Sequence, residues 1–219
     1  MARTNVQTSA RRSLFFLIFA EPLPILPNIS LRNCMIENYL LKRPHIPSSV
    51  FMATGAIVVG DVEFGEDCSV WFHAIVRADV NTIRIGDRTN IQDGAIVHVT
   101  YQKCPTVIGR EVSIAHGAIV HGCTIQDRVL IGMGAKILDR SVIGRESIIA
   151  AGAVVLEGYE VPERTLMAGV PAKPIRKITD DEAQRIAQTA RNYISYAADY
   201  RKLDTLETMS THEEKNLNY

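Results

Sequence analysis

The chain lacks a net charge. Its 24 lysines and arginines are matched by 24 aspartates and glutamates, so neither nucleic acid nor an anionic membrane is expected as the main partner. It lacks cysteine pairs. Cys34, Cys68, Cys104 and Cys123 form no CxxC unit and no zinc-finger spacing, which leaves free or buried thiols in a reducing compartment. It lacks any run approaching the roughly 18 apolar residues of a membrane span. The first 20 residues lack acids, while carrying Arg3, Arg11, Arg12 and a short apolar stretch from Leu14 to Ala20. Residues 1–34 stand apart from the remainder and admit three readings. They form an Arg-rich transit peptide, a secretory signal with Ile18 where cleavage wants a small residue, or an extension upstream of a start at Met35. The last reading goes with a cytoplasmic protein and the first with a mitochondrial one.

What the chain does have is apolar residues, 47% of 219, enough for one sizeable core with appendages. They are periodic. Ile125, Ile131, Ile137, Ile143, Ile149 and Val155 fall six apart, often followed by a small residue, as at Gly132, Gly144 and Ala150. The series runs back through Val120, Ile114 and Ile108, then Val97, Ile91 and Ile85, then Val76, Val70, Phe64 and Val59. The long step from Val97 to Ile108 predicts a loop at Val99–Pro105. The long step from Val76 to Ile85 predicts a shorter one at Ala78–Thr82. A period of six does not suit an amphipathic helix, which needs 3.6, and exceeds the alternation of an ordinary strand. It suits short strands joined by tight turns, three to a coil, with coils stacked about 4.8 Å apart. Such coils bury their inward rows only against each other.

Ala168-Gly169-Val170-Pro171-Ala172-Lys173-Pro174 ends the repeat. Thr179-Asp180-Asp181-Glu182 then reads as a capping box. Ile186, Ala190, Tyr193, Ala197 and Tyr200 form one apolar helical stripe, which should pack on the outside of the coils of its own or a neighbouring subunit. The predicted organisation is an extension at 1–34, a parallel β-helix at 35–176, a C-terminal helix at 177–207 and a polar tail at 208–219.

The repeat sorts the six histidines. His98 follows Val97, and His121 follows Val120, three steps and one whole coil later. Arg77 follows Val76 one coil earlier, so Arg77, His98 and His121 form one column. Imidazoles stacked at about 4.8 Å can share a metal whose Zn–N bonds are about 2.0–2.1 Å. His116, two residues after Ile114, lies near a corner one face earlier and should reach that ion only from a second subunit of a three-fold assembly. Three histidines with an open position make a catalytic zinc arrangement. His45, His73 and His212 fall off this column and read as solvated residues.

The segments Trp71-Phe72-His73-Ala74-Ile75-Val76-Arg77-Ala78-Asp79, Asn90-Ile91-Gln92-Asp93-Gly94-Ala95-Ile96-Val97-His98 and Ala115-His116-Gly117-Ala118-Ile119-Val120-His121-Gly122-Cys123 resemble the γ-carbonic anhydrases and their ferripyochelin-binding-like bacterial homologues, from about Met35 to Tyr200. The bare hexapeptides are shared with acyltransferases; the histidine segments are not. The resemblance implies a left-handed β-helix, a homotrimer with sites between subunits, and hydration of carbon dioxide to bicarbonate. It makes His98, His116 and His121 ligands of zinc, or of iron or cobalt. It makes Arg77 and Asp79 an ion pair across the interface. It gives Gln92 and Asn90 the task of orienting the attacking hydroxide and the substrate, and Tyr193 a place lining the pocket.

Two features depart from the family pattern. Val80 stands where a glutamate follows the aspartate, and the Val99–Pro105 loop holds no acid to carry protons to bulk water. Three functions therefore compete: a metal-dependent hydratase, a hexapeptide acyltransferase, and a non-catalytic metal-stabilised trimer.

Overall fold

The computed structural model describes residues 33–216, with 204–216 described by backbone alone. Of the expected N-terminal extension only Asn33 and Cys34 fall within it, and His212 lies outside the described side chains. The chain winds into a β-helix whose strands pair in parallel, each with the strand one coil away. Three faces recur. The first carries Ile96–His98, Ile119–His121, Lys136–Ile137 and Val154–Val155. The second carries Thr106–Ile108, Thr124–Ile125, Val142–Ile143 and Glu160–Val161. The third carries Phe51–Met52, Ser69–Val70, Asn90–Ile91, Ser113–Ile114, Leu130–Ile131, Ile148–Ile149 and Thr165–Ala168. This third face ends in an antiparallel strand, Lys173–Lys177, that closes the stack after the predicted Gly-Pro segment.

The six-residue series is the core. Val70, Val76, Ile91, Val97, Ile114, Val120, Ile131, Ile137, Ile143 and Ile149 are all fully buried. They stack because each coil pairs its backbone with the next in register, as in Val120 over Val97 and Ile137 over Val120. Like side chains thereby fill the same slot at strand spacing.

Two details differ from the sequence reading. The series passes through Val58, not Val59, and runs back to Met52: Val58 is fully buried and pairs with Val76, Met52 is buried and pairs with Val70, while Val59 points outward beneath Arg77. Val58, Phe64, Val70 and Val76 keep the step of six, and a slip of one residue in a strand changes which face a side chain takes. Ala78–Thr82 is not a separate loop. A continuous strand, Ile75–Ile85, passes round the corner from the first face to the second. It lies along Ile57–Phe64, whose register shifts between Gly60 and Val62. The surplus residues are absorbed as a bulge containing Asp79, because the backbone on both sides of the corner stays paired.

The Val99–Pro105 segment is a loop, pinched by a bridge between Thr100 and Cys104. The helix α1 spans Asp180–Asn216, so its backbone continues past Glu207, where the sequence pattern loses its stripe. Its capping box forms as predicted: Glu182 N–H donates to Thr179 Oγ1 at 3.2 Å, and Thr179 N–H to Glu182 Oε2 at 2.9 Å. The stripe lies on the third face of its own chain. Ile186, Ala190 and Ala197 are buried there, and Tyr193 and Tyr200 meet the Trp71 ring edge-on at 5.2 and 5.5 Å. No helix among the described residues is long and apolar enough to cross a membrane.

Candidate metal centre

The column forms on the first face as the repeat arithmetic requires. His121 pairs with His98 one coil away, and their ring centroids are 5.1 Å apart. His98 Nδ1 and His121 Nε2 face each other at 3.1 Å. The outer nitrogens are each tied to a carboxylate. His98 Nε2 is 3.1 Å from Asp79 Oδ1, and His121 Nδ1 bonds Asp139 Oδ1. Asp79 in turn pairs with Arg77 of the same chain and accepts the Val80 N–H at 3.0 Å. Asp139 accepts the Thr100 hydroxyl. Burial works against ionising Asp79, yet hydrogen bonds from His98 and Arg77 bring its pKa below the usual carboxylate value. Asp139 is lowered the same way, burial being outweighed by Thr100 and His121. Burial lowers the His98 pKa in spite of Asp79 beside it.

These bonds assign the protons. A neutral imidazole has one N–H donor and one lone pair. If each outer nitrogen donates to its ionised carboxylate, the two inner nitrogens present lone pairs to each other at 3.1 Å. That pair calls for a cation between or beside them. Two nitrogens bound to one tetrahedral zinc stand about 3.3 Å apart, given bonds of about 2.0–2.1 Å. The donor set and its spacing therefore fit a zinc-type ion.

The other predicted residues gather elsewhere on the chain. His116 sits at the corner after Ser113–Ile114, its side chain 49% exposed, with Nδ1 on Asp93 Oδ2 at 2.8 Å. Its Nε2 is thus the nitrogen left for an outside partner. Asn90 and Gln92 are buried on the third face. Gln92 Nε2 donates to Asn90 Oδ1 at 2.9 Å, and Asn90 Nδ2 to Ser113 Oγ at 2.9 Å, so the two amides are held rigidly. Tyr193 packs on Trp71, and burial together with the nearby Asp93 charge and Tyr196 pushes its phenol up to about 12. Within one chain and among the described residues, no three His, Cys, Asp or Glu side chains converge into a complete metal set.

The predicted residues thus divide in two. Arg77, Asp79, His98 and His121 make one half; Asn90, Gln92, His116 and Tyr193 make the other. Asp139 and Asp93, the carboxylates on His121 and His116, escaped the sequence reading. The available signals were positional. Asp93 lies one coil before His116 at the same corner, where Gly117 N–H bonds Asp93 O. Asp139 lies above Gly122, which follows His121.

Coils of six-residue turns with buried aliphatic residues in register define this molecule as a hexapeptide-repeat β-helix protein. The bacterial transferase hexapeptide (six repeats) family matches residues 122–157. A hexapeptide transferase family protein from Anaplasma phagocytophilum superposes with a TM-score of 0.73 at 37% identity, covering 76% of this chain and 98% of that one. A carbonic anhydrase of Geobacillus kaustophilus is 38% identical over 80% of this chain and 95% of its own length. Gamma carbonic anhydrase 2, mitochondrial, of Arabidopsis thaliana is 40% identical over 76% of this chain. The chain spans 62% of the length of that Arabidopsis protein. The chain belongs to the γ-carbonic anhydrase family.

Proposed function

We propose that this chain forms a homotrimer that hydrates carbon dioxide reversibly to bicarbonate at zinc sites shared between subunits. The observation that carries this reading is the pair of imidazole nitrogens facing each other at 3.1 Å, each ring tied to a carboxylate at its far nitrogen. His98 and His121 would hold the ion from one subunit and His116 of the partner subunit from another, with iron or cobalt as substitutes for zinc. The separation of the predicted residues into two halves on one chain supports the shared site, since a second copy is needed to join them. The outward positions of the first face support it too. Ile57, Ile75, Ile96 and Ile119 stack into a partly exposed apolar row beside the histidines, ended by Lys136 on the next coil, of the kind oligomer interfaces bury.

A bound zinc lowers the pKa of water to about 7 and so makes hydroxide available at neutral pH; carbonic anhydrase is the standard example. This chain's own residues would do the remainder. Gln92, immobilised through Asn90, would present amide hydrogen-bonding groups that orient hydroxide and carbon dioxide. Arg77, always protonated, would keep Asp79 ionised, and Asp79 would keep the His98 proton on Nε2. Tyr193, protonated at all working pH values, would close the side of the pocket next to His116.

A non-catalytic metal-binding trimer has two observations in its favour. Val80, in the glutamate position, packs against the apolar core, and the Thr100 hydroxyl of the acid-free loop is turned inward onto Asp139. Neither offers a proton acceptor to bulk water. The acyltransferase reading rests on the hexapeptide repeats that acyltransferases share and on the names of the matching family and structural relatives. Metal content per trimer and stopped-flow carbon dioxide hydration by the zinc- or iron-loaded protein separate the three. Metal with turnover supports the hydratase, metal without turnover the binding module, and no metal the acyltransferase. The mitochondrial Arabidopsis relatives support the transit-peptide reading of residues 1–34 over a cytoplasmic location. Import of a reporter fused behind those residues tests it.

A further inference from the structure

We infer that Asp139 is a positioning residue: with Thr100 and Gly122 it fixes the tautomer of His121 so that Nε2 carries a lone pair, not a proton, toward His98. The inference rests on the metal-site reading above and assigns a task to a side chain outside the sequence motifs that define the site.

The argument starts from the alternative that the two rings would otherwise adopt. His98 Nδ1 and His121 Nε2 are 3.1 Å apart, which is an ordinary N–H···N hydrogen-bond distance. If His121 carried its proton on Nε2, that proton would bond His98 Nδ1. The pair would then satisfy itself, leave His121 Nε2 without a lone pair for an ion, and close the site. Asp139 offers the proton a better partner. Its Oδ1 accepts from His121 Nδ1, and a bond to an ionised carboxylate is roughly twice as strong as a neutral one. The proton therefore stays on the outer nitrogen. Its retention there also raises ligand basicity, as carboxylates behind metal-bound histidines generally do.

The surroundings are arranged for this contact. Thr100 donates its hydroxyl to Asp139 Oδ2, which leaves Oδ1 free for the ring. Thr100 is held by the loop bridge to Cys104, so the loop that lacks an acid acts as the carboxylate's anchor. Gly122, at φ +53°, has no side chain at the point where one would obstruct the carboxylate: a Cβ there would lie 2.6 Å from Asp139 Oδ1 and 2.9 Å from Cys104 Cβ. Arg140 N–H also donates to Gly122 O at 2.7 Å, which fixes the Asp139 backbone one coil above His121.

The test uses the full chain in two measurements. In the metal-free protein, 15N NMR of the imidazoles reads the tautomer directly. The expected result is a proton on His121 Nδ1 in the wild type and in Asp139→Asn, whose amide oxygen still accepts, and a shift to Nε2 in Asp139→Ala. Zinc titration by competition with a chelator reads the consequence. Asp139→Ala should bind about 10- to 100-fold more weakly than wild type, with Asp139→Asn between them. The inference is overturned if Asp139→Ala folds, keeps the Nδ1 proton and binds zinc within twofold of wild type. If Asp139→Ala does not fold, the wild-type tautomer decides: a proton on His121 Nε2 in the metal-free wild type also overturns it. Failure of the wild type to bind zinc at all is a different result. It removes the metal-site reading, while the tautomer measurement still judges the role of Asp139.

Discussion

Two columns of polar side chains climb this β-helix, and they behave differently. At the corner between the second and third faces, Asp67, Arg88, Glu111, Arg128, Glu146 and Arg164 follow one another coil by coil, each with φ between 54 and 57°. Acid and base alternate. Arg88 Nε meets Glu111 Oε1 at 3.1 Å, and Glu146 takes both Arg128 and Arg164, the latter at 3.5 Å. Most of the column's charges are met within it, and Arg164 at its end also pairs with Asp180 at the start of α1. On the first face, Arg77, His98 and His121 stack donors and lone pairs of one kind on each other. That column is tied by carboxylates reaching in from the side, and its two inner nitrogens face each other at 3.1 Å, the pair to which the proposed function gives the cation. A β-helix puts like positions in contact, so alternating charge in register yields ion pairs, while repeated imidazoles in register bring ring nitrogens together.

This contrast is open to attack from both sides. The largest effect is expected at the histidine column. His98→Ala should abolish stoichiometric zinc, measured by elemental analysis after dialysis, with little change in the circular dichroism spectrum. Zinc retained at full stoichiometry would falsify the column as the metal site. Next comes His116→Ala, which leaves the His98–His121 pair intact. Zinc affinity should fall by at least about tenfold, given that it deletes one of three ligands, and mixing its subunits with His98→Ala subunits should restore a fraction of sites only if ligands are shared across chains.

In the alternating column the effects should be small. Glu146→Gln should cost about 1 kcal/mol in denaturant unfolding, because Arg128 and Arg164 are both 39% exposed and water replaces much of the lost pairing. Zinc affinity should not change. A loss of several kcal/mol would mean that the corner column is a structural keystone and not a solvated ladder.

The smallest effect is expected at the helix cap, a third polar cluster. Arg176 donates twice to Glu182, at 2.7 and 2.8 Å, and with the Thr179 N–H it brings that carboxyl from 4.5 to about 2. A carboxyl lowered in the folded state stabilises fully above its unfolded value and loses that contribution as pH falls through the folded one. The protection factors of amides in the first turn of α1, corrected for intrinsic exchange at each pH, should therefore fall between about pH 4.5 and 2. In Glu182→Gln they should start lower and stay level across that window. An unchanged pH response in Glu182→Gln would show that another group controls the cap.

Much of this was legible from residue spacing. Six-residue steps identified the inward row from Phe64 to Val155. The count of three steps places His121 over His98 from spacing alone, and the two residues pair on adjacent coils. The capping box and the apolar stripe gave the helix its start and its inner side. The misplacement of Val59 arose where the first coil is only begun and few repeats constrain the count. The Ala78–Thr82 loop was misread because spacing reveals extra residues but not whether they leave the sheet or bulge within it.

What the sequence determined by itself is the stacking: a strict period makes every coil's backbone pair with the next, and side chains at equal positions must then touch. Which carboxylate meets which ring depends on how the chain turns in space. Asp139 reaches His121 because a glycine beneath it is bare, a loop hydroxyl turns it, and the chain rounds a corner at that height. Those contacts join residues from different rows of the repeat, and the geometry of a corner, unlike the period of a coil, is not written in spacing.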